Sequence, residues 1–209
     1  MTNKQLAFRT AVEGIIKKLK LRNMEGYFFE DSASCVKAIT DLMEEGSTIS
    51  WGGSESIKEC GLMEAIKSGN YTLIDRTTAK TPEESRELYV KAVLSDYYLM
   101  STNAITYDGE LINIDGNGNR VACLIHGPKT IIMVVGMNKL VSDAQSGCAR
   151  VRNVAASANA QRLNRNTPCF QNGRCGDCLS EDCMCNHIVV TRRSGVPGRI
   201  PVFNFQHLC

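Results

Sequence analysis

Apolar positions recur along this chain with two periods. Between residues 4 and 21, Phe8, Ala11, Val12, Ile15, Ile16 and Leu19 follow helical spacing, with lysines on the opposite face. A short strand at 27–29 follows Gly26. Asp31 or Ser32 then caps a helix carrying Val36, Ile39 and Met43, and Gly46 ends it. Residues 48–51 read as a strand, Gly52-Gly53-Ser54 as a tight turn, and the helical pattern that follows breaks near Gly61 and resumes at 62–67. A strand at 71–74 precedes Thr81-Pro82-Glu83-Glu84, a helix start with a Thr cap and Pro in the first turn, and this helix runs to about residue 94.

Four apolar runs come next, at 97–100, 111–114, 121–125 and 131–135, and all four read as strands. A long helix over 142–162 uses Ala144, Cys148, Val151, Ala155 and Ala158 as small packing positions, with Arg150 and Arg152 facing either the pocket or, the default for an arginine, solvent. Runs at 188–191 and 201–205 read as a terminal strand pair, with Gly195–Gly198 in the turn between them. Strands alternating with helices from 27 to 162 predict an α/β domain built on a mostly parallel sheet, with a local antiparallel or hairpin addition around 111–135. No repeat or linker divides residues 1–209, so they read as a single domain. The one composition shift, at Asn166, opens a Cys-rich segment over 166–187.

The polar positions between the apolar runs carry the candidate chemistry. Asp108-Gly109, Asp115-Gly116 and Gly118-Asn119 are turn formers that place short polar groups at strand ends. The run 115–120 concentrates acceptors, amides and the cation Arg120. It reads as part of a pocket floor, the alternative being a type I′ hairpin with a solvated arginine. Asn103, Asn138 and Lys139 recur at neighbouring strand ends. Gly52, Gly53 and Ser54 join a strand to a helix, where backbone amides can meet an anion, or where Ser54 is simply the cap. Glu55 is a candidate base or nucleophile, or else an acid favouring the first helical turn.

Composition removes several classes of function. With 43% hydrophobic and 22% charged residues and a net charge of +2, the chain is ordinary for a globular protein. Its dispersed Lys and Arg give no footprint for nucleic acid. No apolar run approaches the roughly 20 residues of a membrane span. Lys4 and Arg9 are followed by no apolar signal core, so a cytoplasmic location is expected. No nucleotide-binding motif is evident.

Ten cysteines change the picture, because five of them fall between 169 and 185. Cys35, Cys60, Cys123, Cys148 and Cys209 are scattered, most within apolar segments. Without a signal peptide, clustered thiols suggest a metal rather than a disulfide framework. Cys175 and Cys178 form a Cys-x-x-Cys knuckle, with Cys169 before it and Cys183 and Cys185 after. The expected ligands are Cys169, Cys175, Cys178 and Cys185, with Cys183 spare and His187 a substitute. Zinc and an iron–sulfur cluster both suit such a donor set, and free thiols are the alternative. His126 and His207 are expected to be structural.

Taken in order, Trp51-Gly-Gly-Ser54, 103–109, Asn113-Ile-Asp-Gly-Asn-Gly-Asn-Arg120, Gly127-Pro-Lys129, Val135-Gly-Met-Asn-Lys139, Pro168-Cys169 and the Cys175–Cys178 knuckle resemble the LUD family of lactate-utilisation proteins. The likeness spans nearly the whole chain and is strongest to stand-alone members related to the C subunit of the lactate-utilisation operon. It implies a Rossmann-like sheet of the NagB/RpiA/CoA-transferase-like group, with a pocket at the strand C-terminal ends. It also implies a bacterial role in oxidising L-lactate to pyruvate, with iron–sulfur and oxidoreductase subunits as partners. The oligomeric state is left open, a dimer included. Under that reading a small carboxylate or phosphorylated cofactor meets Gly52, Gly53 and Ser54. Arg120 and Lys129 or Lys139 supply charge, and Asp108 or Asp115 orients it. Cys183, so close to Cys185, departs from the expected pattern and leaves the fourth thiol ligand open. Fold kinship alone fixes no chemistry. The alternatives are an enzyme of the CoA-transferase or isomerase type using Glu55, Asp108 or Asp115 as acid–base or nucleophile, and a non-catalytic assembly or regulatory subunit.

Overall fold

A computed structural model describes residues 2–206. His207 and Cys209 lie outside the described residues. The main sheet has six parallel strands in the order β1-β10-β7-β4-β2-β3. These are β1 (Glu25–Phe29), β2 (Thr48–Trp51), β3 (Thr72–Ile74), β4 (Tyr97–Met100), β7 (Thr130–Gly136) and β10 (Pro201–Phe205). A second sheet of four strands is ordered β8-β5-β6-β9, from β5 (Ala104–Thr106), β6 (Leu111–Asp115), β8 (Leu140–Val141) and β9 (His187–Thr191). β6 runs antiparallel to both β5 and β9, so the antiparallel addition is built from 104–106, 111–115 and 187–191 rather than from the runs within 111–135.

Strand alternation sorts the core. Leu99, Ile132, Val134, Phe203 and Phe205 face one side, against α2 (Ser32–Leu42), α3 (Glu55–Glu59) and α4 (Leu62–Ser68). Tyr98, Met100, Ile131, Met133, Val135 and Val202 face the other, against Ile15 and Leu19 of α1 (Asn3–Leu21) and Leu124 of α6 (Asn119–Ile125). Because β7 is buried on both faces, its residues form a continuous apolar run. Asp31 caps α2, accepting from Ser34 N at 2.8 Å, and Thr81 caps α5 (Pro82–Val93), accepting from Glu84 N at 3.1 Å.

Three expectations are corrected. The run 121–125 belongs to α6 and is not a strand. Gly118 takes a left-handed φ of +77° and opens the helix, which buries Val121, Cys123 and Leu124 and leaves Ile125 outside. A five-residue apolar run carries too few periods to separate helix from strand. The two last strands do not pair with each other. β10, buried throughout, enters the main sheet between β1 and β7, whereas β9, half exposed, edges the small sheet beside β6. The long helix is α7 (Ala144–Arg150) and α8 (Ala156–Leu163), joined by a wider π turn at Val151–Ala155.

Arg199 closes the C-terminal end of α6. Its guanidinium donates to the carbonyls of Cys123 (2.9 Å), Leu124 (2.8 Å) and Pro128 (3.1 Å). Arg199→Ala orphans these groups and is expected to lower stability by roughly 2 kcal/mol, read as a shifted urea midpoint at unchanged m-value.

Candidate functional site

Four strand ends converge on one place. β2 leads into Gly52-Gly53-Ser54, β4 into Ser101-Thr102-Asn103, and β7 into a 3-10 turn at Met137–Lys139, while β6 delivers Asp115 from the small sheet. With the α7–α8 helix they border a cleft of about 450 Å³. Its position is the one open parallel sheets offer to ligands, beyond the C-terminal strand edge.

Arg120 organises the floor. Nη1 donates to Asn113 Oδ1 (2.7 Å) and Ser101 O (3.3 Å), and Nη2 to Ile114 O (2.6 Å) and Asn103 Oδ1 (3.2 Å). Nε stands 3.4 Å from Asp115 Oδ2. The two terminal nitrogens therefore make four hydrogen bonds within the protein, and Nε faces Asp115 as an ion pair. The arginine is a strut carrying fixed charge rather than a free hand for a ligand. Burial lowers its pKa, and Asp115 opposes that shift. The other Asp115 oxygen accepts from Gly118 N at 2.9 Å, which fixes the entry to α6. Asn103 Oδ1 also accepts from Ile114 N at 3.0 Å. Gly52 is needed because a Cβ there would stand 3.0 Å from Arg120 Cδ.

Around this floor the cleft is electropositive. Arg76, Arg120, Lys139, Arg150, Arg162 and Arg165 line it, against Glu55, Glu59 and Asp115. Six cations facing three acids favour an anionic guest. Lys139 Nζ donates to Ser56 Oγ (2.8 Å) and Ser101 Oγ (2.7 Å). Burial, then Arg150, pushes its pKa down to about 8. Arg150 takes the pocket alternative over solvent: it turns inward and donates to Asn103 O at 2.6 Å, and burial lowers its pKa. Arg162 reaches Asn159 Oδ1 and stands 3.7 Å from Glu55.

Of the expected residues, Gly53, Ser54, Glu55, Asn103, Asp115, Gly116, Asn119, Arg120, Asn138 and Lys139 all border the cleft. Gly52 and Gly118 sit directly behind it. Two candidates are misplaced. Asp108 lies in the β5–β6 turn, a β6 strand length (roughly 16 Å) from Asp115, and pairs with Lys18 at 3.1 Å. Lys129 precedes β7, at the opposite edge of the sheet, and pairs with Asp96 at 2.7 Å. Ser54 occupies the cap position of α3 without a side-chain cap bond. Glu55 is held by Lys58 at 3.3 Å as well as by Arg162.

Sequence reading missed Ser56, Glu59, Arg76, Ser101, Asn159, Arg162, Arg165 and Met184. Arg76 had a usable signal, a polar Asp75-Arg-Thr-Thr turn directly after β3, in which Asp75 Oδ1 accepts from Thr77 N at 2.8 Å. A second cavity of about 640 Å³ adjoins the cleft through Arg76, Asn117 and Asn119, and carries Trp51, Arg86, Tyr89 and Tyr98.

The Cys-rich segment forms part of the same wall. Met184 lines the cleft, Asn186 Nδ2 donates to Gly116 O at 3.0 Å, and a Cβ on Gly118 would meet His187 Nε2 at 3.2 Å. The nine cysteines among the described residues are free thiols. Cys178 Sγ and Ser180 Oγ stand 3.4 Å apart, and Arg152 Nε donates to Cys175 Sγ at 3.3 Å. Burial, then the charges of Cys183, Cys175 and Cys169, pushes the Cys185 thiol up to about 12. Among the described residues, no three His, Cys, Asp or Glu side chains stand as a metal-ligand set. No helix among them is long and apolar enough to cross a membrane.

Compared with known protein families, the chain matches the LUD domain over residues 12–203. A DUF162 family protein from Deinococcus radiodurans is similar in fold, with a TM-score of 0.54 at 14% identity, covering 97% of this chain and 98% of that one. Weaker, partial likenesses include eIF2B delta from Chaetomium thermophilum (TM-score 0.37, 17% identity, 58% of this chain and 50% of that chain). Another is ribose 5-phosphate isomerase A from Neisseria gonorrhoeae (TM-score 0.34, 16% identity, 53% and 52%). No curated protein matches.

Proposed function

The chain belongs to the LUD domain family, and on that premise we propose that it is a component of a bacterial lactate-oxidising redox system whose cleft binds a small anionic metabolite. The family is associated with lactate utilisation in general terms. The observation that carries the reading is the electropositive cleft, with Arg76 and Arg162 at its mouth, Lys139 in its wall and Arg120 fixed beneath. A carboxylate or phosphate there gains charge-assisted hydrogen bonds without neutralising the strut. Thermal stabilisation by L-lactate, pyruvate or inorganic phosphate, compared with a neutral control such as glycerol, tests it. No shift from any of the anions defeats it. Arg162→Ala is expected to weaken binding by about tenfold or more, since one charge-assisted bond to a ligand is worth ~1.5–3 kcal/mol. The thermal midpoint of the free variant should stay close to that of the parent.

The same reading gives the thiol segment a metal, zinc or an iron–sulfur cluster, held by Cys169, Cys175, Cys178 and Cys185 with Cys183 or His187 as substitutes. The donor chemistry fits. Five thiols, Cys169, Cys175, Cys178, Cys183 and Cys185, fall within one short segment and none is in a disulfide, and soft thiol donors are what zinc and iron–sulfur clusters take. Such a group would supply either electron transfer or a structural staple for the wall carrying Met184. Iron, sulfide and zinc analysis of anaerobically purified protein decides between them. A metal-free, fully folded preparation removes the assignment. The partners on this reading are iron–sulfur and oxidoreductase subunits, to be sought by co-purification.

A further inference from the structure

Lys139 is set apart from the chain's other lysines. Lys18, Lys37, Lys58 and Lys129 project from the surface and pair with carboxylates. Lys139 instead points into the cleft, and its two hydrogen-bond partners are the hydroxyls of Ser56 and Ser101. The charged groups facing it are Arg150 from α7 and Arg120 from α6, which disfavour an ammonium, and Glu59 from α3, which favours one. A hydroxyl can donate as well as accept, so this pair of serines suits a neutral amine equally well: one hydroxyl receives an amine N–H while the other donates to the nitrogen lone pair. The pocket thus combines a desolvated amine with guanidinium groups a carboxylate would seek.

We infer that Lys139 is a covalent site for 2-oxo acids, its amine forming an imine with the ketone carbon while the cleft's arginines hold the carboxylate. The inference rests on the anion-binding reading of the same cleft. In the step, the Nζ lone pair forms a C–N bond to the ketone carbon and the carbonyl oxygen takes a proton, giving a carbinolamine. Loss of the former carbonyl oxygen as water, with the remaining N–H proton, leaves the imine. No oxidant or reductant enters. Ser56 and Ser101, already bonded to Nζ, are placed to relay the protons.

The test uses the full-length chain, pyruvate and sodium borohydride, which reduces any imine to a stable secondary amine. The expected result is a single adduct, its mass that of pyruvate less one water plus two hydrogens, mapped to the peptide holding Lys139. Its trapping rate should rise with pH and level off above about 8. Lys139→Arg, which keeps a cation but no nucleophilic amine, should cut the adduct by about tenfold or more. An adduct spread over surface lysines, or equal in Lys139→Arg, overturns the inference. Pyruvate's thermal shift, measured without borohydride, separates the two readings. A shift without an adduct sinks the covalent site and leaves the anion cleft standing, whereas neither shift nor adduct sinks both.

Discussion

Arg120→Met is expected to lower stability by about 3–5 kcal/mol, the range for removing one partner of a buried charged network. The substituted side chain fills much of the arginine's volume, so packing loss is not the main cost. The cost lies in what stays behind: the amide oxygens of Asn103 and Asn113, the carbonyls of Ser101 and Ile114, and the Asp115 carboxylate, all placed to receive N–H groups. Asn113 is fully buried, and its Nδ2 already lacks a protein partner, so its side chain has no second way to be satisfied. Arg120→Lys should recover only a minor part, because a compact ammonium cannot span five acceptors arrayed around a planar fork. Denaturant melts of the three proteins check the ranking. Equal stability of all three would show that the network is not a strut. Since the acceptors belong to β6 and to the segment after β4, the variant should also loosen the small sheet, visible as faster hydrogen exchange at Ile112 and Ile114.

Lys139→Met is expected to act in the opposite direction, raising stability at neutral pH while abolishing the reactive amine. Lys139's folded pKa lies at about 8, below the 10.5 of the free side chain. Above 10.5 both folded and unfolded chains carry a neutral amine, and burial imposes no charge penalty. As pH falls from 10.5 to 8 the unfolded chain takes up its proton first, so the folded state loses ground. Below 8 the deficit is complete, at most roughly 3 kcal/mol. Methionine carries no such deficit but leaves Ser56 and Ser101 without their partner, a loss of about 1 kcal/mol for groups that can turn to water. The variant should therefore be more stable than the parent below pH 8, with the gap closing between 8 and 10.5. Urea midpoints at pH 6, 7, 8, 9 and 10 measure this. A gap independent of pH would show that Lys139 is not held against its charge. A residue that destabilises its own fold in this way is what a functional site retains.

β4 and β7 were legible because they are apolar on both faces, whereas the place of β10 between β1 and β7 was not, and α5 was legible because Thr81 and Pro82 mark its start. The cleft floor was legible for a different reason: residues 115–120 spend glycines and short polar side chains where a simple hairpin needs two. Sequence could not show which way each tip points. Asp108 and Asp115 both precede glycine, yet they sit at opposite ends of one strand, and only the pairing of β5 with β6 tells them apart. Lys129 and Lys139 flank the same strand and part for the same reason. The arginines at the cleft mouth were hidden, because Arg162 reads as an ordinary last-turn cation of a polar helix and Arg76 as a solvated loop residue. Arg120 was found in place but misread in role. Its type and position fit a ligand contact, and only the distances reveal that its donors are already committed.

The sheet also sets an order for synthesis. Among the described residues, β1 at 25–29 has a single sheet neighbour, β10 at 201–205, and β10 in turn is what joins β1 to β7. An emerging chain can assemble β2, β3, β4 and β7 early, but β1 waits with its ladder groups unmatched until β10 has been made. For that interval the chain carries two open flanks, on β1 and on β7, at which another chain could insert, so its vulnerability to misassembly lasts until β10 docks.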